Sequence, residues 1–198
     1  MTADILLVRH AAHAHLGNTL SGRMQKISLS PEGAEQARRL ADRLAGCGLD
    51  ALQSSPVLRA RETAAAVADR LGLTVTEAEP LNEVDFGDWT GQGFDDLDRD
   101  PRWHRWNEQR AEGEAPGGES MAAVQQRIMA HLRQVASSAA GKVVAMVSHC
   151  DVIRAAVAGV LGLSLDRLLQ FEIGPASVSR IRLGDWGGRV ITLNEGGA

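Results

Sequence analysis

The sequence has little of what marks secreted, membrane or nucleic-acid-binding proteins. Its two cysteines, Cys47 and Cys150, lie too far apart and are too few for a disulfide framework or a closed zinc site. No run approaches the roughly 18 apolar residues of a membrane span, and the first residues do not resemble a signal peptide. A formal net charge of −4 argues against a broad basic surface for nucleic acid. We therefore expect a cytoplasmic protein with no nucleic-acid or membrane partner.

What the sequence contains is a regular alternation of strand and helix patterns. The 198 residues are enough for one domain over 1–198 with a substantial core. Apolar runs with strand character alternate with amphipathic stretches, such as 37–44, where apolar residues recur at i, i+3, i+4 and i+7. Tight glycine-containing turns join the last strands. This order predicts an α/β fold with three α/β/α layers and one mostly parallel sheet that has an antiparallel edge.

The patterns also give approximate bounds. Ser30-Pro31 and Ser55-Pro56 are typical helix starts. Residues 80–120 have little periodicity, and a structureless stretch of that length inside a compact domain is usually functional; Trp103 and Trp106 within it are expected to pack under a loop. The predicted strands are 5–8, 51–54, 74–79, 143–148, 169–173, 177–183 and 189–193, and the two last helices begin near 121 and 151.

Two of the predicted strands end in a histidine. The first runs into Arg9-His10 and the second into Ser148-His149. Side chains at the carboxyl edge of a parallel sheet face the crevice where α/β proteins bind ligands. Two histidines and an arginine delivered there suggest chemistry on an anion. Cys150 follows directly, but its spacing from Arg154 does not fit a cysteine phosphatase loop, and we interpret it as an inert residue.

Five segments, taken in order, resemble the motifs of a known family. Their joint pattern is similar to that of the histidine phosphatase superfamily, the phosphoglycerate-mutase-like proteins, and it spans nearly the whole chain. Each segment alone would be weak evidence, whereas all of them in order are specific. The matching segments are Leu6 to His10, Ser55 to Ala64, Leu81 to Gly91, Pro116 to Ser120 and Ser148 to Arg154.

The resemblance implies a role for each motif residue. It implies that His10 is the nucleophile that becomes a phosphohistidine, that Arg9, Arg59 and His149 form the phosphate pocket, and that Glu83 is the proton donor. Phosphoryl transfer depends mainly on positioning and on stabilising negative charge. Guanidinium groups do this without losing their own charge. We therefore expect neither a cofactor nor a metal.

The chain departs from the family pattern directly after the first histidine. The family usually has R-H-G-E-T or R-H-G-Q-T, whereas this chain has Arg9-His10-Ala11-Ala12-His13. Ala11 should be tolerated unless the backbone needs a positive φ there. His13 must replace the contact of the lost hydroxyl or leave it unmade. Arg23 matches a glycine-arginine pair of the family, and we expect Arg23 and His13 to bind substrate.

The favoured function is a metal-independent phosphomonoesterase of the phosphatase branch, acting on a small phosphorylated metabolite. A short chain favours a phosphatase over a phosphoglycerate mutase, which remains the first alternative. The Ala11 to His13 departure keeps a non-catalytic, phosphate-binding member as the second alternative. His10, His13 and His15 could also be the start of a metallohydrolase site. The sequence does not name the metabolite or the oligomeric state, for which a homodimer is one option.

Overall fold

The computed structural model describes residues 2–196, and in that part of the chain six strands form one sheet. The strand order is β3-β2-β4-β1-β5-β6. The first four strands in this order pair in parallel, while β5 and β6 are antiparallel. The predicted mostly parallel sheet with an antiparallel edge is therefore confirmed. The strands are β1 Thr2–Arg9, β2 Ala51–Ser54, β3 Val75–Glu77, β4 Val143–Ser148, β5 Val178–Gly184 and β6 Gly187–Glu195.

Helices cover both faces of this sheet. Within residues 2–196, none of them combines the length and apolar character that a bilayer crossing needs. The α-helices are α1 Pro31–Leu44, α2 Leu58–Leu71, α3 Phe94–Leu97, α4 Pro101–Glu108, α5 Met121–Ser138 and α6 Cys150–Leu161, and the 3₁₀ helices are Glu79–Leu81, Gly87–Trp89 and Leu165–Gln170.

The alternation of side chains along β1 divides the core into two layers. Leu6 and Val8 pack on the face covered by α1 and α2. Ile5 and Leu7 pack on the opposite face, against α5 and α6. Successive strand residues point to opposite faces, and all four are buried here because both faces are covered. The three-layer prediction is confirmed.

The helix start at Ser30-Pro31 also fixes the loop after β1. The Ser30 hydroxyl accepts a hydrogen bond from the Gly33 amide at 3.1 Å, as an N-cap does. Gly33 lies so close to the Ala12 carbonyl that a side chain there would clash. The Ala12 amide in turn donates to Gln36 Oε1 at 2.9 Å. The first turns of α1 therefore hold the backbone that follows His10.

Two of the predicted elements are wrong. The strand expected at 169–173 is absent: the chain forms the 3₁₀ helix Leu165–Gln170, and Leu168 and Ile173 are buried without joining the sheet. The alternation of Leu169, Phe171 and Ile173 imitates a strand, but only Ile173 is buried and Leu169 is largely exposed. The stretch 80–120 is also not structureless, because it contains α3, α4 and two 3₁₀ turns.

Tryptophans hold that stretch together. The Trp89 ring meets those of Trp103 and Trp106 edge to face, with ring centroids 5.3 and 6.0 Å apart. Trp106 is fully buried, and its ring also meets Phe86. As predicted, the two tryptophans of α4 pack under the loops. Together they extend the core layer that contains Ile5 and Leu7 into the segment above the sheet edge.

Candidate active site

The carboxyl ends of three parallel strands meet at one place. In the β1–β4 pairing Arg9 lies opposite Ser148, and the His10 amide donates to the Ser148 carbonyl at 2.9 Å. The Ser55 amide, just after β2, donates to the Val147 carbonyl at 2.9 Å. His10, His149 and Ser55 are thus brought side by side by the sheet.

His10 is buried and held in one orientation. Its Nδ1 lies 2.8 Å from the Ala11 carbonyl oxygen, which can only accept, so Nδ1 carries the proton. The lone pair is therefore on Nε2, to which the Arg59 Nε–H donates at 3.2 Å. Burial, and then the charges of Arg59 and Arg9, hold the pKa of His10 well below its usual value. The result is a neutral imidazole with its free electron pair beside a cation.

Two arginines have donors to spare at this point. Arg59, in the first turn of α2, is 1% exposed and donates through Nη2 to the Gly22 carbonyl at 2.9 Å. Arg9 donates through Nη1 to the Ile173 carbonyl at 2.5 Å. Arg59 Nη1 and Arg9 Nε are buried and have no hydrogen-bond partner among residues 2–196. Buried donors of this kind suit the oxygens of a bound anion.

His149 lies beside His10 and Arg59, and the orientation of its imidazole depends on a residue that the sequence analysis does not single out. Its Nε2 lies 2.8 Å from the Ser55 hydroxyl, which also accepts from the Val57 amide. Its Nδ1 lies 3.2 Å from Arg59 Nη2. Burial, and then Arg59, hold the pKa of His149 well below the usual value. Ser55 orients this ring. From the sequence, Ser55-Pro56 is interpreted only as a helix start, whereas α2 begins at Leu58 and Ser55 lies before its N-cap.

Glu83 faces the same group of side chains. One carboxylate oxygen accepts from the Val84 amide at 2.9 Å, and the other lies 3.7 Å from Arg59 Nη2 and 3.5 Å from His149 Nδ1. Burial raises the pKa of Glu83 to about 7, and Arg59 opposes this rise only in part. Such a carboxyl group can both give and take a proton near neutral pH.

The structure does not bring Arg23 into the cleft, contrary to the expectation from the sequence. Its Nε donates to the Glu83 carbonyl at 2.8 Å and its Nη2 to Glu119 Oε2 at 2.8 Å. Arg127 donates to the same Glu83 carbonyl at 3.1 Å. Arg23 therefore holds the Glu83 loop, and it is not among the residues that line the cleft.

His13, in contrast, lies in the cleft wall. Its ring centroid is 5.3 Å from that of His10, and its Nδ1 has no hydrogen-bond partner within residues 2–196. Burial, and next Arg59, lower its pKa to about 4, so the ring is neutral. Ala11 is not among the residues with positive φ, which is why alanine is accepted where the family has glycine.

The sequence also allows a metal site at the histidines after β1 and a nucleophilic role for Cys150. In the described part of the chain, no three histidine, cysteine, aspartate or glutamate side chains are arranged to hold a metal ion. The metallohydrolase alternative therefore has no ligand set there. Burial raises the pKa of the Cys150 thiol to about 11, so it is not a thiolate nucleophile at neutral pH.

The cleft extends beyond these residues. Its volume is about 220 Å³, enough for a small molecule. The outer wall combines aromatic and charged side chains that come mostly from the stretch 80–120 and from α6. These are Phe86, Phe94, Trp103, Arg110, Cys150, Asp151 and Arg154.

The comparison with protein families agrees with this geometry. The model of the histidine phosphatase superfamily, branch 1, matches residues 5–196. The chain belongs to the histidine phosphatase superfamily. The matched range contains the strand ends, the Glu83 loop and the outer wall described above.

The proteins to which this chain is similar include both named phosphatases and a named mutase. The chain is 32% identical to phosphoserine phosphatase 1 of Hydrogenobacter thermophilus, with 96% of this chain and 91% of that protein covered. It is 27% identical to a 2,3-bisphosphoglycerate-dependent phosphoglycerate mutase of Parvibaculum lavamentivorans, with 94% and 93% covered. Among solved structures, a mycobacterial glucosyl-3-phosphoglycerate phosphatase superposes with a TM-score of 0.87 at 26% identity, covering 98% of this chain and 99% of that one.

Proposed function

We propose that the protein is a metal-independent phosphomonoesterase that hydrolyses a small phosphorylated metabolite through a phosphohistidine at His10. One observation carries the proposal. The proton on His10 Nδ1 leaves the Nε2 lone pair directed to Arg59, with the buried carboxyl group of Glu83 on the same side. A nucleophile, an anion-binding cation and a proton donor thus meet at one point.

In the first step, His10 Nε2 attacks phosphorus while the bond to the leaving alcohol breaks. Arg9, Arg59 and His149 surround the phosphoryl oxygens, and the two guanidiniums supply the fixed positive charge that divalent ions supply in other phosphoryl-transfer enzymes. Glu83, whose pKa is about 7, gives its proton to the leaving oxygen. The products are an alcohol and a phosphorylated His10.

In the second step, water attacks the phosphohistidine. Glu83 is now a carboxylate and takes a proton from the water as the new phosphorus–oxygen bond forms. The phosphorus–nitrogen bond breaks, its electron pair returns to Nε2, and inorganic phosphate leaves. His10 and Glu83 are then back in their starting states.

Chain length does not decide between a phosphatase and a mutase. The mutase-named relative is covered over 93% of its length, so it is hardly longer than this chain. The preference for hydrolysis is supported by the more similar relative, which is named a phosphoserine phosphatase, and by the structural neighbour named a phosphatase. The substrates in those names are candidates for this chain.

A panel of phosphorylated metabolites, assayed for phosphate release with and without a chelator, tests the proposal. We expect release that survives exhaustive chelation and an acid-labile, base-stable phosphoenzyme. Interconversion of 2- and 3-phosphoglycerate with a bisphosphate primer would instead identify a mutase. If even p-nitrophenyl phosphate gave no phosphate and no phosphoenzyme, the non-catalytic alternative would replace the proposal.

A further inference from the structure

A second group of arginines lies in the outer part of the cleft. Arg110 Nη1 is 2.7 Å from Asp151 Oδ2, and Arg154 Nη1 is 3.4 Å from Asp151 Oδ1. Two guanidiniums thus share one carboxylate, whose side chain is 15% exposed, and this leaves one positive charge in excess. Glu172 lies 3.6 Å from Arg154, but its side chain is 81% exposed, so solvent screens that interaction.

Both arginines also have an unused donor. Arg110 is 5% exposed, and its Nη2 donates to Asn107 Oδ1 at 2.7 Å. Its Nε and the Nε of Arg154 are buried and have no hydrogen-bond partner within residues 2–196. Buried polar groups in folded proteins nearly always have a partner. Two such donors on neighbouring guanidiniums that line a cleft indicate an anion-binding site.

The chain places this site within reach of the phosphate pocket. Asp151 is only two residues beyond His149, so their Cα atoms are at most about 7 Å apart. Arg110 and Arg154 line the same cleft as His10 and Arg59. A molecule of a few carbon atoms can therefore present a phosphate at one end and a second anionic group at the other.

We propose that Arg110 and Arg154 bind a carboxylate of the substrate, so that the preferred substrates are phosphomonoesters of small hydroxy acids. The proposal rests on the phosphomonoesterase function above. A single surplus charge matches a carboxylate, and the planar guanidinium fork fits its two oxygens. Both oxygens of Asp151 are already engaged by the arginines, so the site does not suit an ammonium group.

Two pairs of substrates isolate the carboxylate. 3-Phosphoglycerate and glycerol 3-phosphate differ only in a carboxylate that is replaced by a hydroxymethyl group. Phosphoserine and ethanolamine phosphate differ only in a carboxylate that is replaced by hydrogen. We expect the wild type to have a higher kcat/KM on the acid of at least one pair.

The variants Arg110→Gln and Arg154→Gln test the two residues. Each should lower kcat/KM on the preferred acid roughly 10- to 100-fold, as expected for the loss of a charged hydrogen bond, and leave the matched alcohol or amine nearly unchanged. Arg105→Gln is the control, because Arg105 is an exposed arginine of α4, shortly before Arg110 in the chain, whose Nε bonds Gln109. If Arg110→Gln does not fold, Arg154→Gln and Arg110→Lys are used to measure whether the loss is selective for the acid.

Equal losses on both members of a pair would show that the arginines only hold the wall, and would overturn the proposal. A wild type without preference for either acid would overturn it as well. If the protein released no phosphate even from p-nitrophenyl phosphate, the proposed function would fail. Calorimetric affinities for the same pairs would then decide this site: tighter binding of the acids, lost in the arginine variants, would support it, and equal binding would refute it.

Discussion

The inner part of the cleft and its outer wall are built in different ways. We call the inner part the floor; it consists of Arg9, His10, Arg59, Glu83 and His149. On the floor, backbone carbonyls hold two of the side chains: His10 Nδ1 donates to the Ala11 carbonyl, and Arg59 Nη2 donates to the Gly22 carbonyl. In the wall, side chains hold one another, as Arg110 and Asp151 do. Main-chain groups therefore help to fix the floor, whereas this part of the wall depends on contacts between side chains.

This difference separates two functions. The residues that would carry out phosphoryl transfer depend on strands that the whole fold needs, so the reaction tolerates little change there. The wall residues lie outside the strands, and segments that connect the elements of a scaffold commonly carry specificity. Variants of the floor should therefore impair turnover of substrates with and without a carboxylate, and variants of the wall should change the preference between them.

The strongest test of the floor is His10→Ala. It removes the attacking nitrogen, so we expect no measurable turnover and no phosphoenzyme, with an unchanged thermal melting curve. Phosphate trapping after acid quenching checks this. Substantial turnover by the variant would contradict a nucleophilic role for His10.

The floor could be predicted from the sequence because each side chain follows directly from a strand or a helix start. Arg9 and His10 end one apolar run, and His149 ends another. Arg59 lies in the first turn of the helix that follows Ser55-Pro56. In a parallel sheet the carboxyl ends meet at one edge, so local patterns predict that these side chains lie together, whereas their roles and that of Glu83 come from the family resemblance. The roles of these residues stay predictions until the variants are measured.

Arg59→Lys should have the next largest effect. A lysine keeps the charge but cannot contact Gly22, His10 and His149 together, as the guanidinium does. By analogy with arginine fingers, we expect a loss in kcat on the order of 10³-fold. Arg61→Lys is the control, since Arg61 lies on the same helix but pairs at the surface with Glu77. Similar losses in both variants would point to damage to the helix.

Glu83→Gln should affect substrates unequally. A sugar or glycerol phosphate has a poor leaving oxygen that must be protonated, and there we expect a loss of about 10²-fold. p-Nitrophenol leaves without a proton, so the first step on its phosphate should be spared and phosphoenzyme should accumulate. Equal losses on both substrates would remove Glu83 from the role of the acid.

The same substitution should change how stability depends on pH. Glu83 has a raised pKa of about 7 in the folded protein, against an ordinary value of 4.5. Its contribution to stability is therefore fully present below pH 4.5 and is lost as the pH rises through 7. That difference corresponds to about 3 kcal/mol. Denaturant unfolding at pH 5 and pH 8 should show Glu83→Gln gaining stability relative to the wild type at the higher pH; a pH-independent difference would argue against a raised pKa.

The wall could not be predicted in the same way. Nothing in the local pattern around Arg110 indicates that its guanidinium meets Asp151, 41 residues later in the chain. For Arg23 the motif predicts a substrate contact, whereas its guanidinium contacts the Glu83 carbonyl and Glu119. Pairing between side chains that are distant in the sequence depends on how loops pack, and hydrophobic periodicity does not predict it.

Arg23→Ala should have the smallest effect, and it tests whether a residue outside the cleft acts through Glu83. Arg23 and Arg127 both donate to the Glu83 carbonyl, so loss of Arg23 should loosen the proton donor without removing it. We expect a loss of about tenfold or less on a glycerol phosphate and almost none in the first step on p-nitrophenyl phosphate. This is the pattern of Glu83→Gln at a smaller scale. Lys26→Ala, which removes an exposed positive charge from the same loop, should leave both rates unchanged. If Arg23 instead bound substrate, its loss would raise KM on both substrates with kcat unchanged, and Arg23 would then belong to the wall.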